Sequence, residues 1–286
     1  MPELPEVQTI VSDLKKKIIG RRITGFFSDT PRIFKYTTIT KISGTIKNCK
    51  IAAVERRGKN ILFHLSKGSR IKDQKLLLIH PKLTGRLEIV KADKQHKIWD
   101  KKKYFRAIFY LDNKTALGFS DLRKFGKIIF GDRQKVEFLP DLADLGPDPL
   151  ERNFDLATFR NLIKREKRKI KQVLMDQKVI AGIGNIYSDE TLWHAKIHPL
   201  KPSNQLTNHQ STNLYKAIRS VLKKSLRLRG SSWRNWRDTE GREGGYIKIR
   251  RVYGREALPC FRCATKIKRI KMGGRSAHFC PRCQKL

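Results

Sequence analysis

Acidic residues are scarce in this chain of 286 residues. Its 26 Asp and Glu stand against 64 Lys and Arg, so the formal net charge is +38 and the isoelectric point is near 10.4. Such an excess indicates a polyanionic partner, and nucleic acid is the leading candidate. An anionic membrane surface is the alternative, but the basic residues are spread along the whole chain rather than concentrated in one amphipathic helix.

Long apolar runs and a secretion signal are both missing from the sequence. No run approaches the roughly 20 residues that a membrane-spanning helix needs, and the acidic N-terminus lacks the pattern of a signal peptide. We therefore expect a cytoplasmic, nucleoid-associated protein with no membrane partner. With 39% hydrophobic residues the chain can still bury a substantial core, and its length suggests two domains, or one large domain with an appendage.

Cysteines are few, but four of the five are grouped near the C-terminus. They form two CxxC pairs with 16 residues between them, a spacing typical of a zinc site rather than of disulfides. Four thiolates close the coordination sphere, so we expect one structural Zn²⁺. The predicted ligands are Cys260, Cys263, Cys280 and Cys283, whereas Cys49 stands alone and His278 is interpreted as a hairpin side chain.

The N-terminal half has the periodicity of one helix followed by many strands. Apolar residues at helical spacing predict an amphipathic helix at Pro5–Ile19. Short apolar or alternating runs from Ile23 to Phe130 predict about six to eight strands of an antiparallel sandwich or barrel. The clearest runs are Ile51–Val54, Ile61–Leu65, Leu76–Ile79, Arg86–Val90, Tyr104–Leu111 and Lys127–Phe130. The Lys-rich stretch Lys91–Lys103 is expected to be an exposed, mobile loop.

Turn residues at Leu145–Leu150 mark a change to helical periodicity. Helices are predicted at Leu156–Arg168, Ile170–Met175, Asn185–His194 and Thr207–Arg229. The polar stretch Ser231–Arg251 is predicted to be a flexible loop leading into a strand. The predicted fold class is α+β, with a two-layer β-sandwich domain at residues 1–145, a helical domain at 146–230, and a loop with a β-hairpin zinc finger at 231–286.

The first six residues, Met1–Glu6, carry groups suited to covalent chemistry. If Met1 is removed, Pro2 presents a secondary amine with a pKa of roughly 7.7–8.0, so about a tenth is neutral at pH 7. Such an amine can attack a carbon such as a sugar C1′ and form an iminium intermediate. Glu3 and Glu6 could shuttle protons. The alternative is an ordinary helix start, because Pro suits the first turn and Glu favours the positive helix end.

Three turns are candidate contacts for nucleic acid. His80–Arg86 combines cations with Leu83, and Asp121–Gly126 combines two cations with Phe125. An enzyme that acts on a base within duplex DNA extrudes it, and apolar wedges then fill the gap while Arg contacts the stranded partner. The glycine turn Ala181–Gly184 precedes a predicted helix, and backbone N–H groups at helix starts bind phosphate. Solvated turn cations, a core Phe and a simple helix connection are the alternatives.

Five motifs in order resemble the formamidopyrimidine-DNA glycosylase group of the bacterial Fpg/Nei family. They are Met1–Glu6, Asp121–Gly126, Leu174–Tyr187, Ile197–Pro199 and Val252–Arg255, and they span essentially the whole chain. The resemblance implies a bifunctional DNA glycosylase/AP lyase of base excision repair that acts on oxidised purines in double-stranded DNA as a monomer. It further implies a helix-two-turns-helix arrangement in the DNA-binding domain 146–230 and a lesion loop at the start of 231–286.

The resemblance also implies roles for the residues of the reaction. Pro2 is matched with the Schiff-base nucleophile, Glu3 with its acid/base partner, and Glu6 with a supporting carboxylate. Lys59 matches the family lysine assigned to β-elimination. Arg275 matches the arginine assigned to δ-elimination and phosphate binding.

Further residues are implied as DNA contacts. Asn185 is matched with a phosphate contact next to the lesion and Lys167 with another DNA-contacting cation. Arg123 would contact the base opposite the lesion, with Leu83 and Phe125 filling the void. The remaining expected contacts are His80, Lys124 and Tyr104, the last at a position where many members have a DNA-contacting His.

Some positions depart from the family pattern. Leu83 stands where Met is usual, Leu122 where Pro is common, and the Ser231–Gly245 loop is divergent. Two alternatives are kept: the sister branch, which prefers oxidised pyrimidines but typically starts Pro-Glu-Gly-Pro-Glu, and a non-catalytic zinc-ribbon protein that binds nucleic acid.

Overall fold

The computed structural model describes residues 2–68, 74–92, 104–233 and 236–286, and these form two compact units. The first unit contains Pro2, Glu6–Ala143 and Arg229–Gly244. The second contains Glu3–Pro5, Asp144–Leu228 and Gly245–Leu286. The three-part division at 1–145, 146–230 and 231–286 stays a prediction. The predicted mobile loop at Lys91–Lys103 falls almost wholly outside the described residues.

Helix α1 spans Leu4–Ile18, close to the predicted Pro5–Ile19. Its apolar residues recur every three or four positions, so they form one buried stripe. The buried side chains are Val7, Ile10, Val11, Leu14 and Ile18. Ile19, by contrast, is 44% exposed, because the helix has already ended and Gly20 turns the chain with a positive φ of 85°.

The first unit contains two four-stranded antiparallel sheets. Their strand orders are β1-β6-β7-β5 and β2-β3-β4-β8. The strands are β1 (Ile23–Phe27), β2 (Lys50–Arg57), β3 (Asn60–Ser66), β4 (Gln74–His80), β5 (Arg86–Lys91), β6 (Phe105–Leu111), β7 (Thr115–Ser120) and β8 (Lys127–Asp132). Alternate residues from both sheets pack with α1 into one apolar cluster, for example Ile61 and Phe63 of β3 with Phe109 of β6. The predicted sandwich is therefore confirmed.

Three short helices of the first unit were not predicted from the sequence. Helix α2 (Ile39–Ile46) begins at Thr38, whose side-chain oxygen accepts a hydrogen bond from the Lys41 N–H, as an N-cap residue does. Helices α3 (Arg133–Glu137) and α4 (Pro140–Ala143) follow β8.

The second unit is helical and ends in a hairpin. Its helices are α5 (Leu156–Lys164), α6 (Ile170–Met175), α7 (Asn185–Ala195), α8 (Asn208–Arg227) and α9 (Tyr246–Ile249). Residues 252–258 form turns and bends, so the strand predicted to follow the Ser231–Arg251 stretch is wrong, and residues 246–249 within that stretch are helical. Strands β9 (Lys268–Met272) and β10 (Arg275–Phe279) pair antiparallel across Gly273 and Gly274. No helix within the described residues is long and apolar enough to cross a membrane.

Candidate active site and zinc centre

Glu3 is buried at the N-terminus of helix α7 in the second unit. Its carboxylate accepts hydrogen bonds from the backbone N–H groups of Gly184 (2.8 Å), Ile186 (2.8 Å) and Tyr187 (3.3 Å). A Cβ at Gly184 would overlap the Glu3 carboxyl group, which explains the glycine there. These N–H groups would otherwise lack partners at the helix start, and a carboxylate is favoured at this positive helix end. The expected phosphate site on this glycine turn is therefore partly occupied by Glu3.

Asn185 begins helix α7 and is half-buried. Its side-chain oxygen is buried and has no hydrogen-bond partner among the described residues. Because buried polar atoms usually have partners, this carboxamide is a candidate for contact with a bound molecule. Lys167 lies on the exposed stretch between α5 and α6.

Pro2 and Glu6 are both buried and belong to the first unit. The Glu6 carboxylate accepts a hydrogen bond from the Ser231 N–H at 2.7 Å. A Cβ at Gly230 would lie only 2.8 Å from Glu6 Oε1, and Gly230 has a positive φ of 84°. Glycine is therefore required at position 230 both for space and for backbone conformation.

Lys59 and His80 belong to a cluster of basic residues in the first unit. Lys59 is only 6% exposed, and the imidazole Nδ1 of His80 accepts a hydrogen bond from the Lys82 N–H at 2.9 Å. Burial, together with the positive charges of Lys82, Lys59 and Lys127, holds the pKa of His80 well below its usual value. Lys127 forms an ion pair with Asp141. His80 is therefore a neutral hydrogen-bonding group among cations.

The two basic turns lie together in the first unit, joined by buried Asp121. The carboxylate of Asp121 accepts hydrogen bonds from the Thr84 hydroxyl, from the Arg123 N–H at 3.2 Å and from the Gly126 N–H at 2.7 Å. The Arg123 N–H also contacts Thr84 Oγ1 at 3.2 Å. This network places Leu83, the neighbour of Thr84, beside the turn that carries Arg123.

The tips of both turns expose apolar and cationic side chains. Leu83 is 37% and Phe125 46% exposed, and the Arg123 guanidinium lies 4.5 Å from the Phe125 ring centroid. The carbonyl oxygens of Arg123 and Lys124 accept hydrogen bonds from the Arg32 guanidinium, which hold the backbone of the turn. Exposed Tyr104 accepts a hydrogen bond from the Asp121 N–H through its backbone oxygen.

The four predicted cysteine ligands converge in the second unit. Their sulfur atoms all lie within 4.8 Å of one another, with Cys263 Sγ 3.4 Å from the sulfurs of Cys280 and Cys283. Tetrahedral coordination at about 2.3 Å places sulfurs roughly 3.8 Å apart, so the donor set fits one zinc ion. The Cys260 sulfur also accepts a hydrogen bond from Trp193 Nε1 at 3.4 Å. The predicted structural zinc site is confirmed.

A buried ion pair, missed by the sequence analysis, connects the hairpin to helix α7. Lys171 pairs with Asp189, and neither side chain is exposed. Lys171 also donates to the Ser276 carbonyl at 2.8 Å, while Asp189 accepts from the His278 backbone N–H and Nδ1, both at 3.0 Å. The only sequence signal was charged residues inside apolar helical patterns. Arg275, exposed at the start of β10, is thereby carried on a hairpin fixed at its second strand.

Buried Glu190 fixes the chain that leads into the zinc finger. Its carboxylate accepts hydrogen bonds from the N–H groups of Arg251 (2.8 Å), Val252 (2.9 Å) and Tyr253 (2.9 Å). These bonds hold the backbone of the Val252–Arg255 motif in place. This motif therefore has a structural role in the fold, and the contacts give it no part in the reaction.

Comparison with known families matches the chain in three consecutive parts. The formamidopyrimidine-DNA glycosylase N-terminal domain matches residues 1–128, and the formamidopyrimidine-DNA glycosylase H2TH domain matches residues 145–236. The zinc finger found in FPG and IleRS matches residues 257–286.

Individual relatives agree with this match over the full length. A formamidopyrimidine-DNA glycosylase of Desulforamulus reducens is 38% identical over 286 residues, covering 100% of this chain and 99% of that protein. The complex of a Lactococcus lactis FPG variant with Fapy-dG-containing DNA is 33% identical, with a TM-score of 0.88 and 100% of both chains covered. Wild-type Lactococcus lactis FPG bound to DNA with an oxidised pyrimidine is also 33% identical, with a TM-score of 0.87 and the same coverage.

An antiparallel sandwich, a helical unit and a four-cysteine hairpin together define the zinc-finger DNA glycosylases. Within that class, the chain belongs to the formamidopyrimidine-DNA glycosylase family, as its five motifs suggested.

Proposed function

We propose that this protein is a bifunctional DNA glycosylase/AP lyase that excises oxidised purines, chiefly 8-oxoguanine and formamidopyrimidines, from double-stranded DNA. The observation that carries the proposal is the environment of Glu3, the residue that follows Pro2. Its carboxylate is buried and fixed by three backbone N–H groups. Such preorganisation is what a catalytic acid/base group requires.

The proposed first stage breaks the glycosidic bond. With Met1 removed, the Pro2 nitrogen attacks C1′, the bond from C1′ to the damaged base breaks, and the base leaves with a proton. The sugar ring opens with proton transfer assigned to Glu3, and the resulting iminium joins Pro2 to the sugar. Glu6 supports this end of the chain through its contact with Ser231.

The proposed second stage cuts the strand at both sides of the sugar. Loss of a C2′ proton breaks the C3′–O bond, and loss of a C4′ proton then breaks the C5′–O bond. We assign Lys59 to the phosphates during the first elimination and Arg275 to those of the second. Water finally hydrolyses the remaining iminium, which releases the sugar fragment as an aldehyde and frees the amine of Pro2.

The proposed DNA contacts are the side chains that the family resemblance implies, and most of them are exposed. Leu83 and Phe125 fill the space of an extruded base, and Arg123 contacts the base left opposite. Asn185, Lys167, Lys124, His80 and Tyr104 are assigned to phosphate or backbone contacts. Arg123 and Phe125 support this assignment because they are presented together on a turn fixed by Asp121. The protein is proposed to act as a monomer in the cytoplasm, at the nucleoid.

Borohydride trapping tests the proposal. Protein that has lost Met1, verified by mass spectrometry, is expected to form a covalent adduct with an 8-oxoguanine duplex, because borohydride reduces the iminium. Protein with an additional uncleaved residue before Pro2 is the matched control and should form none, since an acylated nitrogen is not nucleophilic. Excision without an adduct, or equal trapping by the extended protein, would rule out the proposed nucleophile.

An oxidised-pyrimidine preference is the second candidate. The Lactococcus lactis enzyme has been solved with an oxidised pyrimidine as well as with Fapy-dG in the DNA. Single-turnover excision rates on matched duplexes with either lesion decide between the two, and faster release of the pyrimidine would overturn the proposed purine preference. A non-catalytic zinc-ribbon protein would release neither base.

A further inference from the structure

The 229–244 segment (Arg229–Gly244) overlaps the Ser231–Arg251 stretch that was predicted to be flexible, but its described residues, 229–233 and 236–244, are held on helix α1 within the first unit. Three side chains of α1 hold it. Glu6 accepts the Ser231 N–H at 2.7 Å, Asp13 accepts Arg229 Nη2 at 2.6 Å, and Lys17 pairs with Glu240 at 2.6 Å. Because positions 6, 13 and 17 are separated by about two turns and one turn, they lie along one side of the helix.

Asp238 organises the inside of the segment. Its carboxylate is only 1% exposed and accepts hydrogen bonds from Arg229 Nε (3.0 Å) and Nη2 (2.6 Å) and from the backbone N–H groups of Glu240 and Arg242, both at 2.9 Å. Burial alone would raise the pKa of Asp238, but these hydrogen bonds together stabilise the ionised form and hold the pKa below its usual value. The turn at 238–242 therefore has a defined conformation that these hydrogen bonds stabilise.

Arg229 joins this turn to the helix. Its Nη2 lies between the carboxylates of Asp13 and Asp238, at 2.6 Å from each, and the Thr239 hydroxyl donates to the same Asp13 oxygen at 3.1 Å. Charge-assisted hydrogen bonds of this kind are stronger than neutral ones and therefore fix geometry more firmly. Asp13 is 7% exposed, so water competes little for these contacts.

Two described residues between the fixed ends of the segment, Ser232 and Trp236, also have defined contacts. Ser232 Oγ accepts the Gly244 N–H at 2.7 Å and donates to the Trp236 carbonyl at 2.9 Å, and the Trp236 ring joins the sandwich core. Glu6, one helical turn from Pro2 in sequence, holds one end, while Asp13 holds both Arg229 and Thr239. We call the Asp13–Arg229 ion pair the anchor of the segment. Without it, the segment could move relative to helix α1, which begins two residues after the proposed nucleophile Pro2.

We propose that Asp13 and Arg229 are positioning residues for base excision: they hold the 229–244 segment on helix α1, where it contacts the damaged base that the N-terminal amine releases. The inference rests on the proposed function, because it takes Pro2 as the nucleophile. It assigns these two residues no part in the later eliminations. Loops open more easily than sheet cores, so breaking the anchor loosens the segment while the sandwich stays folded.

The test compares two single-turnover rates in Asp13→Asn, Arg229→Lys and the double variant. Asparagine keeps the shape of Asp13 without its charge. Lysine keeps the charge of Arg229 but lacks the several N–H donors of its guanidinium group. We expect each single variant to release 8-oxoguanine about tenfold more slowly, since small displacements at a reacting centre can cost up to about a hundredfold. Strand cleavage at a preformed abasic site should stay within about twofold, as no base remains to be held.

Coupling and controls separate positioning from general destabilisation. Because each single variant already loses the Asp13–Arg229 contact, the loss in the double variant should be well below the product of the two single losses. Lys16→Gln removes an exposed charge of the same helix that makes no contact with the described residues of the segment, and it should leave both rates unchanged. Trypsin should cut the anchor variants faster than wild type after Arg237 and Arg242, with melting temperatures of the folded chains close to wild type.

The outcomes separate the two proposals. Excision within twofold of wild type in both single variants would overturn the positioning role, as would equal slowing of excision and abasic-site cleavage. If wild-type protein gives no borohydride adduct and releases no base, the proposed function itself fails and this inference fails with it.

Discussion

Leu83 is the residue at which a proposed DNA contact departs from the family pattern. Extruding a base costs a few kcal/mol of lost pairing and stacking, and a wedge helps by occupying the space left behind. Leu has about the volume of Met, and such swaps usually cost less than about 1.5 kcal/mol in packed sites. Leu83 is partly exposed beside the Arg123 turn, as the proposed wedge role requires.

We predict that Leu83→Ala slows excision of 8-oxoguanine opposite cytosine on the order of tenfold, because the plug is lost. Cleavage of a preformed abasic site should barely change, and Leu83→Met should be close to neutral. Single-turnover rates on both substrates check this. Equal losses on both substrates for Leu83→Ala would show that Leu83 supports the fold or general binding instead of extrusion.

His80 gives a pH prediction, since burial and three lysines lower its pKa well below the usual value. An unfolded His has a pKa of about 6.5, so below that pH the unfolded chain binds a proton that folded His80 does not. The stability that neutral His80 contributes is therefore complete above about pH 6.5 and is lost as the pH falls.

We expect the ring signals of His80 in NMR spectra to stay constant from pH 8 to pH 6, with Nδ1 as the acceptor. The melting temperature of wild type should fall more between pH 7 and pH 5.5 than that of His80→Gln, which cannot take up a proton. A ring titration near 6.5, or equal losses in both proteins, would contradict a buried neutral imidazole.

Residue identity alone predicted some of the site but not its supports. The zinc ligands followed from spacing, because two CxxC pairs have few other uses. The partners of Glu3, Glu6 and Asp13 could not be predicted, since each contacts residues about 180 to 230 positions away. Such contacts depend on how the chain folds back, which no local pattern encodes.

At the scale of elements, the zinc hairpin is the part most dependent on its metal. Strands β9 and β10 have five residues each, too few for an independent core, so zinc binding supplies much of their folding energy. Arg275 starts β10, and without the metal it would lose the position on which its proposed phosphate contact depends.

We predict that Cys263→Ser loses zinc and weakens DNA binding at least about tenfold, while the sandwich stays folded. Zinc content, duplex affinity and circular dichroism check the three parts of the prediction. Cys49→Ala is the control, because Cys49 is a buried thiol of the first unit outside the metal site, and it should keep one zinc per chain. Undiminished DNA binding by zinc-free protein would show that the hairpin takes no part in it.

Elements with strong periodicity were predicted well, and short ones were not. Strands β3, β4 and β8 alternate inward apolar residues, and the long helix α8 begins at Thr207 with a capping box. Helix α2 and the turn α9 are too short for a period to stand out. The strand predicted to follow Arg251 does not form, because the backbone N–H groups of residues 251–253 bond to the Glu190 carboxylate rather than to a neighbouring strand.

For the whole molecule, the charge of +38 is the dominant property. Buried and paired cations such as Lys171 serve the fold, whereas an exposed cation that contacts a DNA phosphate releases a counterion. Each neutralised phosphate lowers the slope of log affinity against log salt by about 0.9 for duplex DNA. Affinity should therefore fall steeply with salt on damaged and undamaged duplexes alike.

Two exposed lysines, one with a proposed phosphate contact and one without, allow the salt dependence of DNA affinity to be tested residue by residue. Lys167 is exposed and proposed to contact phosphate, while Lys135 of helix α3 has a side chain that is 84% exposed and is assigned no DNA contact. We predict that Lys167→Gln reduces the salt slope by about one unit on both duplexes, and that Lys135→Gln leaves it unchanged. Fluorescence anisotropy between about 50 and 200 mM salt measures both slopes. Equal reductions of the slope in both variants would mean that the positive surface attracts DNA as a whole, without a specific contact at Lys167. A wild-type affinity that does not change with salt would mean that the positive charge serves something other than DNA binding.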